Sequence, residues 1–135
     1  MPFVLDASVT TCWAFSDENH GHADLAFARI RMEEALVPVL WWFEVRNILI
    51  VNERRKRIRE ADTASFLRAL SSLRIRTDHI PDEGTVLSLA RRHRLSVYDA
   101  AYLELAQREA VPLATLDTDL ASAARAERVA LIGEE

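Results

Sequence analysis

Short apolar runs alternate with longer segments of helical periodicity along the whole of this 135-residue chain. Runs of this kind are typical of buried strands, and their alternation with helices predicts an α/β fold. Each helix returns the chain across the sheet, so neighbouring strands are expected to be parallel. We predict one domain over residues 1–135, with a mainly parallel central sheet of about five strands and helices on both faces. The predicted strands lie near Phe3–Leu5, Leu36–Val39, Arg74–Ile80, Leu113–Thr115 and Val129–Ile132.

Composition narrows the class of protein. Hydrophobic residues make up 50% of the chain and charged residues 28%, which favours a packed core over long disorder. The single cysteine, Cys12, has no partner for an internal disulfide, so we expect a reducing, cytoplasmic location. No signal-peptide pattern precedes Asp6, and Glu44 interrupts the longest apolar stretch, so we expect no membrane association.

The net charge of −4, from 17 basic and 21 acidic residues, disfavours a general nucleic-acid coat protein. It does not exclude a nuclease, because acids concentrated in a metal site contribute to that total. The basic residues are clustered, and each cluster has two compatible interpretations: a solvated helix end, where cations suit the helix dipole, or a phosphate contact. One cluster contains Arg54, Arg55, Lys56 and Arg57, and the other contains Arg91, Arg92 and Arg94.

Carboxylates occur where predicted elements begin or end. Asp6 and Asp117 each close an apolar run, and Asp99 opens a helical segment. In open α/β sheets ligands bind beyond the carboxyl ends of the strands, so we expect these acids to share one pocket with Glu44. Two unit charges about 4 Å apart repel by roughly 4 kcal/mol at an effective dielectric of 20. A divalent hard cation is the simplest source of the positive charge that such a pocket requires.

Each acid also has a structural interpretation. Aspartate between a strand and a helix commonly caps the helix, and taken singly this explains Asp6, Asp99 and Asp117. Capping does not explain Glu44, which lies inside a helical segment that is apolar on nearly every side. A buried carboxylate without a partner is costly, so Glu44 is expected to meet a cation or an arginine.

Several polar residues near these acids have more than one interpretation. Ser8 and Thr115 each lie two residues from an acid. Their hydroxyls either orient a carboxylate, a metal-bound water or a phosphate, or satisfy backbone groups in turns. Asp119 either lines the pocket or favours the start of the last helix. His20 and His22 have spacing compatible with a metal, but their polar surroundings favour a solvated turn.

Four segments together resemble the PIN domain, and within it the VapC-type toxins of bacterial type II toxin–antitoxin pairs. They are FVLDAS at residues 3–8, VPVLWWFEVRNIL at 37–49, LSVYDAAYLELA at 95–106 and LATLDTDL at 113–120. The resemblance implies a three-layer PIN-like sandwich. By this resemblance the acidic quartet of the family corresponds to Asp6, Glu44, Asp99 and Asp117, and its polar companions to Asn47, Thr115 and Asp119.

The resemblance further implies an endoribonuclease that depends on Mg²⁺ or Mn²⁺. The expected direct ligands are Asp6 and Asp99, with Asp117 binding directly or through water, while Glu44 completes the site or positions the water. The expected partners are an RNA substrate, a small antitoxin and a second copy of the chain. Arginines from the basic clusters would hold RNA phosphates, foremost Arg54, Arg55 and Arg57.

Two other functions compete with this one. Receiver domains and haloacid-dehalogenase-like hydrolases also place a nucleophilic aspartate at a strand end, but they use a lysine at a later strand end. The only lysine here, Lys56, lies in a basic helix end, and Ser8 stands where the hydrolase motif has a second aspartate. The other alternative is a non-catalytic PIN-fold module that binds RNA or protein, which the complete set of four acids disfavours.

Overall fold

The computed structural model describes residues 1–15, 18 and 20–135, and its centre is a parallel β-sheet. Within this part of the chain the strand order is β3-β2-β1-β4, with every neighbouring pair parallel. Val4 in the central strand β1 lies opposite Leu36 on one side and Leu113 on the other. The strands are β1 (Phe3–Leu5), β2 (Ala35–Pro38), β3 (Ile75–Asp78) and β4 (Leu113–Ala114).

Helices cover both faces of this sheet. Successive side chains of a strand point to opposite faces, and Phe3, Val4 and Leu5 are all fully buried, so neither face of β1 is open to solvent. The long helix α6 packs across β1, β2 and β4 and contacts α5 and α7. This is the α/β architecture predicted from the alternating pattern. The helices are α1 (Ala7–Cys12), α2 (Gly21–Ile30), α3 (Leu40–Arg54), α4 (Glu60–Ser71), α5 (Glu83–His93), α6 (Val97–Glu109) and α7 (Thr118–Ala126).

The predicted fifth strand at Val129–Ile132 is wrong, because only a single bridge joins Leu131 to Leu113. Backbone hydrogen bonds run from Leu113 N to Ala130 O and from Ile132 N to Leu113 O, and the pairing stops there. Gly133 follows with φ of +97°, a left-handed conformation that turns the chain away from the sheet. The apolar run therefore forms a buried edge contact of the sheet.

Helix α6 begins earlier than its sequence suggests. Ser96 is the cap residue, and its hydroxyl accepts a hydrogen bond from Asp99 N at 3.0 Å. The cap interpretation of Asp99 is therefore wrong, and the Asp99 carboxylate is available for other contacts. No helix in the described ranges has the length and apolar character needed to cross a lipid bilayer.

Candidate metal centre and active site

Asp6 lies at the carboxyl end of β1 and is 5% exposed. It occupies the cap position of α1, but its side chain makes no cap hydrogen bond. Its Oδ2 instead accepts hydrogen bonds from the hydroxyls of Ser8, at 2.8 Å, and Thr115, at 2.7 Å. The capping interpretation of Asp6 is therefore wrong, and two hydroxyls from different strand ends fix this carboxylate.

The same two hydroxyls also bind the backbone. Ser8 Oγ accepts a hydrogen bond from Leu116 N, and Thr115 Oγ1 accepts one from Asp117 N, each at 3.0 Å. Two of the expected roles are therefore present together, since each hydroxyl orients the Asp6 carboxylate with its proton and satisfies a turn with its lone pair. The ends of β1 and β4 are thereby joined around one carboxylate.

Glu44 lies on α3 and is half-buried, and its partner is a tyrosine. The hydroxyl of Tyr102, a fully buried residue of α6, donates a hydrogen bond to Glu44 Oε1 at 2.6 Å. The sequence-based expectation for Glu44 is a cation or an arginine. Arg46 does not supply the arginine, because it stacks on the ring of Trp42, 3.9 Å from its centroid, and donates to the Trp42 carbonyl. Sequence reasoning assigns Tyr102 to the core or an interface. Its spacing of three residues from Asp99 in α6 is the signal that would have placed it beside the acids.

Asp117 and Asp99 enter the site from two different helices. Asp117 caps α7 by accepting a hydrogen bond from Leu120 N at 2.8 Å, so its capping interpretation is confirmed. Asp99 lies in the first turn of α6 and is partly exposed. Asp119, in the first turn of α7, is exposed at the margin of the site.

Shifted pKa values show that these acids share one electrostatic environment. Burial, then the carboxylates of Asp117, Asp6 and Asp119, raise the pKa of Asp99 to about 6. Burial is also the main cause that raises the pKa of Glu44, to which Asp6 and Asp99 add. The pKa of Asp6 is raised by burial first, against the opposing effect of its hydroxyl partners. A positive charge placed among these acids would lower the pKa values of all three carboxyl groups.

The donor set fits a hard divalent cation that keeps much of its water. The four acids offer only oxygen ligands, and none forms a salt bridge with an arginine or lysine in the described ranges. Among the same residues, no three His, Cys, Asp or Glu side chains are grouped closely enough to enclose an ion. Mg²⁺ commonly binds through one or two carboxylates and several waters, which suits this open arrangement.

The remaining candidate residues lie outside this group. Asn47 is exposed on α3, one turn from Glu44. Arg54 and Arg55 are exposed at the end of α3, whereas the Arg57 guanidinium stacks on Phe15 and donates to Asn52. The histidine pair has no metal geometry among the described residues; His20 Nδ1 caps α2 by accepting from the His22 amide at 3.1 Å.

The raised pKa of Asp99 predicts how stability depends on pH without metal. A carboxyl whose folded pKa is raised contributes stability below its unfolded value, near 3.8, and loses that contribution as pH rises through about 6. In chelator, the melting temperature of Asp99→Asn minus that of the parent should therefore increase when the pH is raised from 5 to 7.5. Thermal melts at both pH values measure this difference, and a difference that stays constant between them would contradict the assignment.

Comparison with known proteins places the chain in a family. A family model described as the PIN domain matches residues 3–126. The chain is 31% identical over 127 residues to ribonuclease VapC3 of Pyrobaculum aerophilum, covering 90% of this chain and 93% of that protein.

Solved structures share the same fold. PAE2754 from Pyrobaculum aerophilum superposes with a TM-score of 0.71 at 23% identity, covering 91% of this chain and 84% of that one. VapC20 of Mycobacterium tuberculosis, a toxin that cleaves the sarcin–ricin loop, gives 0.63 at 15% identity, with 90% and 94% covered. FitAcB from Neisseria gonorrhoeae gives 0.61 at 18% identity, with 96% of each chain covered.

Proposed function

The chain belongs to the PIN domain family, in its VapC type, and from that premise we propose that it is a metal-dependent endoribonuclease and the toxin of a toxin–antitoxin pair. The observation that carries this proposal is the group of acids around Asp6. Burial first, and neighbouring carboxylates second, raise the pKa values of Asp6, Glu44 and Asp99. Within the described part of the chain no arginine or lysine forms a salt bridge with these acids. The aspartyl-phosphate alternative is disfavoured because Lys56 lies in the turn after α3 and not at a strand end.

In this proposal Asp6 and Asp99 hold the cation, with Asp117 beside them. Bound Mg²⁺ or Mn²⁺ would lower the pKa of a coordinated water and neutralise charge on the phosphate under attack. Ser8 and Thr115 keep the Asp6 carboxylate in one orientation, so that little reorganisation is needed when the cation arrives. Tyr102 holds Oε1 of Glu44, which leaves Oε2 to orient the attacking water.

The test of this function is RNA cleavage by purified protein. Incubation of mixed-sequence RNA with Mg²⁺ or Mn²⁺ should produce cuts at internal positions, and EDTA should abolish them. Acetyl phosphate labelling of Asp6 in a chain that leaves RNA intact would favour the aspartyl-phosphate alternative. RNA binding without cleavage in either metal would favour a non-catalytic module.

The exposed arginines at the end of α3 are proposed to contact RNA phosphates. Each such contact to single-stranded RNA adds about 0.7 to the slope of log affinity against log salt. The double variant Arg54→Glu/Arg55→Glu should therefore bind RNA more weakly, and its log affinity should fall less steeply with log salt. Fluorescence anisotropy between about 50 and 200 mM salt measures both effects. Arg91→Glu, in the other cluster, is the comparison variant. Equal slopes for the double variant and the parent would show that Arg54 and Arg55 do not contact RNA phosphates and are only solvated cations at a helix end.

A second copy of the chain is proposed to cover an apolar cleft between α3, α5 and α6. The cleft has a volume of about 580 Å³ and is walled by Leu87, Val97 and other apolar side chains. Phe43 and Tyr98 stand at its edge, and each is 62% exposed. An exposed apolar cleft with aromatic rings is the kind of surface that proteins bury against a partner, and a two-fold interface would bury the same surface on both copies. Phe43 and Tyr98 precede Glu44 and Asp99 directly, so this interface would border the acids.

Phe43→Glu should convert the dimer into a monomer, because it places a charge in the apolar centre of the proposed interface. Sedimentation or light scattering of the purified protein gives the mass. Met32→Glu changes an equally apolar, 80% exposed residue outside the cleft and should leave the mass unchanged. A parent that is already monomeric at high concentration would contradict this part of the proposal.

A further inference from the structure

A second cleft lies beside Asp117, on the side formed by α7 and the C-terminal residues. Its volume is about 230 Å³, which accommodates a single planar ring system. One wall is a face of α7 that presents Thr118, Ser122 and Arg125 at helical spacing. Its lining also includes Thr115 and Asp117, so the cleft is continuous with the proposed catalytic residues.

The opposite wall is held in place by backbone conformation and ion pairing. The His22 ring packs directly on Gly133 and leaves no space for a Cβ at that position. Glu134 follows and binds Arg125 with both carboxylate oxygens, at 2.8 and 2.7 Å. The cleft is therefore an organised feature of the fold, with walls from two distant parts of the chain.

The charges in this cleft favour a neutral ligand. Arg125 is neutralised by Glu134, and the Asp117 carboxylate adds a negative charge to the lining. A phosphate would therefore meet net negative charge. The partly exposed side chains of Leu116 and Ala121, backed by the buried Leu131 and Ile132, form an apolar side against which a flat ring can pack. Hydroxyls and imidazoles in the lining offer hydrogen bonds to the edge of that ring.

We propose that this cleft binds one nucleobase of the RNA, from the nucleotide next to the phosphodiester that is cut. The base stacks on the apolar side of the cleft, and its edge is contacted by Thr118, Ser122 and the ring of His22. The inference rests on the proposed ribonuclease function, and it makes the cleft a determinant of where the RNA is cut.

Ser122→Tyr tests the proposal, because Ser122 is exposed and the larger side chain would fill the cleft without entering the core. We expect KM for RNA to rise about tenfold, because a filled cleft excludes the base and removes its packing and hydrogen bonds, with kcat retained at saturating RNA. The base found beside the cut should also become less selective. Ser65→Tyr, an exposed serine on α4, is the matched control and should behave as the parent does.

A binding measurement separates this proposal from the catalytic one. Adenosine, cytidine, guanosine and uridine are titrated separately into the metal-free parent, and amide chemical shifts are followed by NMR. Shifts at Ser122 and His22 that disappear in Ser122→Tyr support the cleft even if no RNA is cut. Absence of shifts for all four nucleosides, or unchanged KM and cleavage positions in Ser122→Tyr, would overturn it.

Discussion

Asp6→Asn is expected to remove metal-dependent RNA cleavage while leaving the fold intact. The amide oxygen of asparagine can still accept hydrogen bonds from Ser8 and Thr115, so the change removes the charge and little else. Electrostatic stabilisation by a metal site is worth several kcal/mol, and roughly 3 kcal/mol already corresponds to about two orders of magnitude in rate. Rates of cleavage of one defined RNA, measured with purified protein in Mg²⁺, give the comparison.

The same variant has a second, opposite expectation for stability. Burial raises the pKa of Asp6, so its ionised form destabilises the metal-free fold at neutral pH. Asp6→Asn should therefore melt at a higher temperature than the parent in EDTA. Asp24→Asn, at an exposed acid in the first turn of α2, should leave cleavage unchanged and should not raise the melting temperature, because the helix dipole favours that charge. Full cleavage by purified Asp6→Asn, free of host nuclease, would remove Asp6 from the metal site.

Glu44→Gln is expected to lose most cleavage and to bind the divalent ion more weakly, while keeping its hydrogen bond from Tyr102. Burial and the charges of Asp6 and Asp99 disfavour the ionised form of Glu44. A bound cation would stabilise that ionised form, so loss of the charge should weaken cation binding. Cleavage rates across a Mg²⁺ titration measure both effects, and Glu60→Gln on the surface is the control.

Tyr102→Phe separates the position of Glu44 from its charge. It keeps the buried ring and removes the hydroxyl, so Glu44 retains its charge but loses its anchor. We expect a smaller loss of cleavage than in Glu44→Gln. Cleavage and metal affinity equal to the parent in Glu44→Gln would show that Glu44 is structural, and a large fall in its melting temperature would indicate that its charge stabilises the fold.

The fold was predictable because strands that are buried on both faces of a parallel sheet are uninterrupted apolar runs in the sequence. The strand Phe3–Leu5 is an unbroken apolar run, and such runs between helical segments have few other interpretations. The prediction of a fifth strand was wrong because an apolar run alone does not establish strand pairing. Val129–Ile132 is equally apolar, but only Leu131 forms a bridge, because pairing depends on where the chain turns and not on hydrophobicity alone.

In the candidate site, the acids could be selected from the sequence, whereas the contacts that support them could not. Glu44 was conspicuous because a charge inside an apolar helix demands a partner, but the identity of that partner depends on the packing of α3 against α6. Tyr102 supplies it from 58 residues away. The predicted start of α6 was wrong because Ser96 and Asp99 are both residue types that cap helices. Only the position at which the backbone becomes helical shows that Ser96 is the cap.

The hydroxyl contacts around Asp6 have a consequence for biosynthesis. Thr115 lies 109 residues beyond Asp6, and the bond between Ser8 and the Leu116 amide spans 108 residues. A ribosome must therefore release the chain through Leu116 before this carboxylate acquires its full set of contacts. Contacts of such long range carry a loop-closure cost that must be met before they form, so they form slowly. A nascent or truncated chain that lacks β4 and the residues that follow it thus cannot complete the hydroxyl contacts around Asp6.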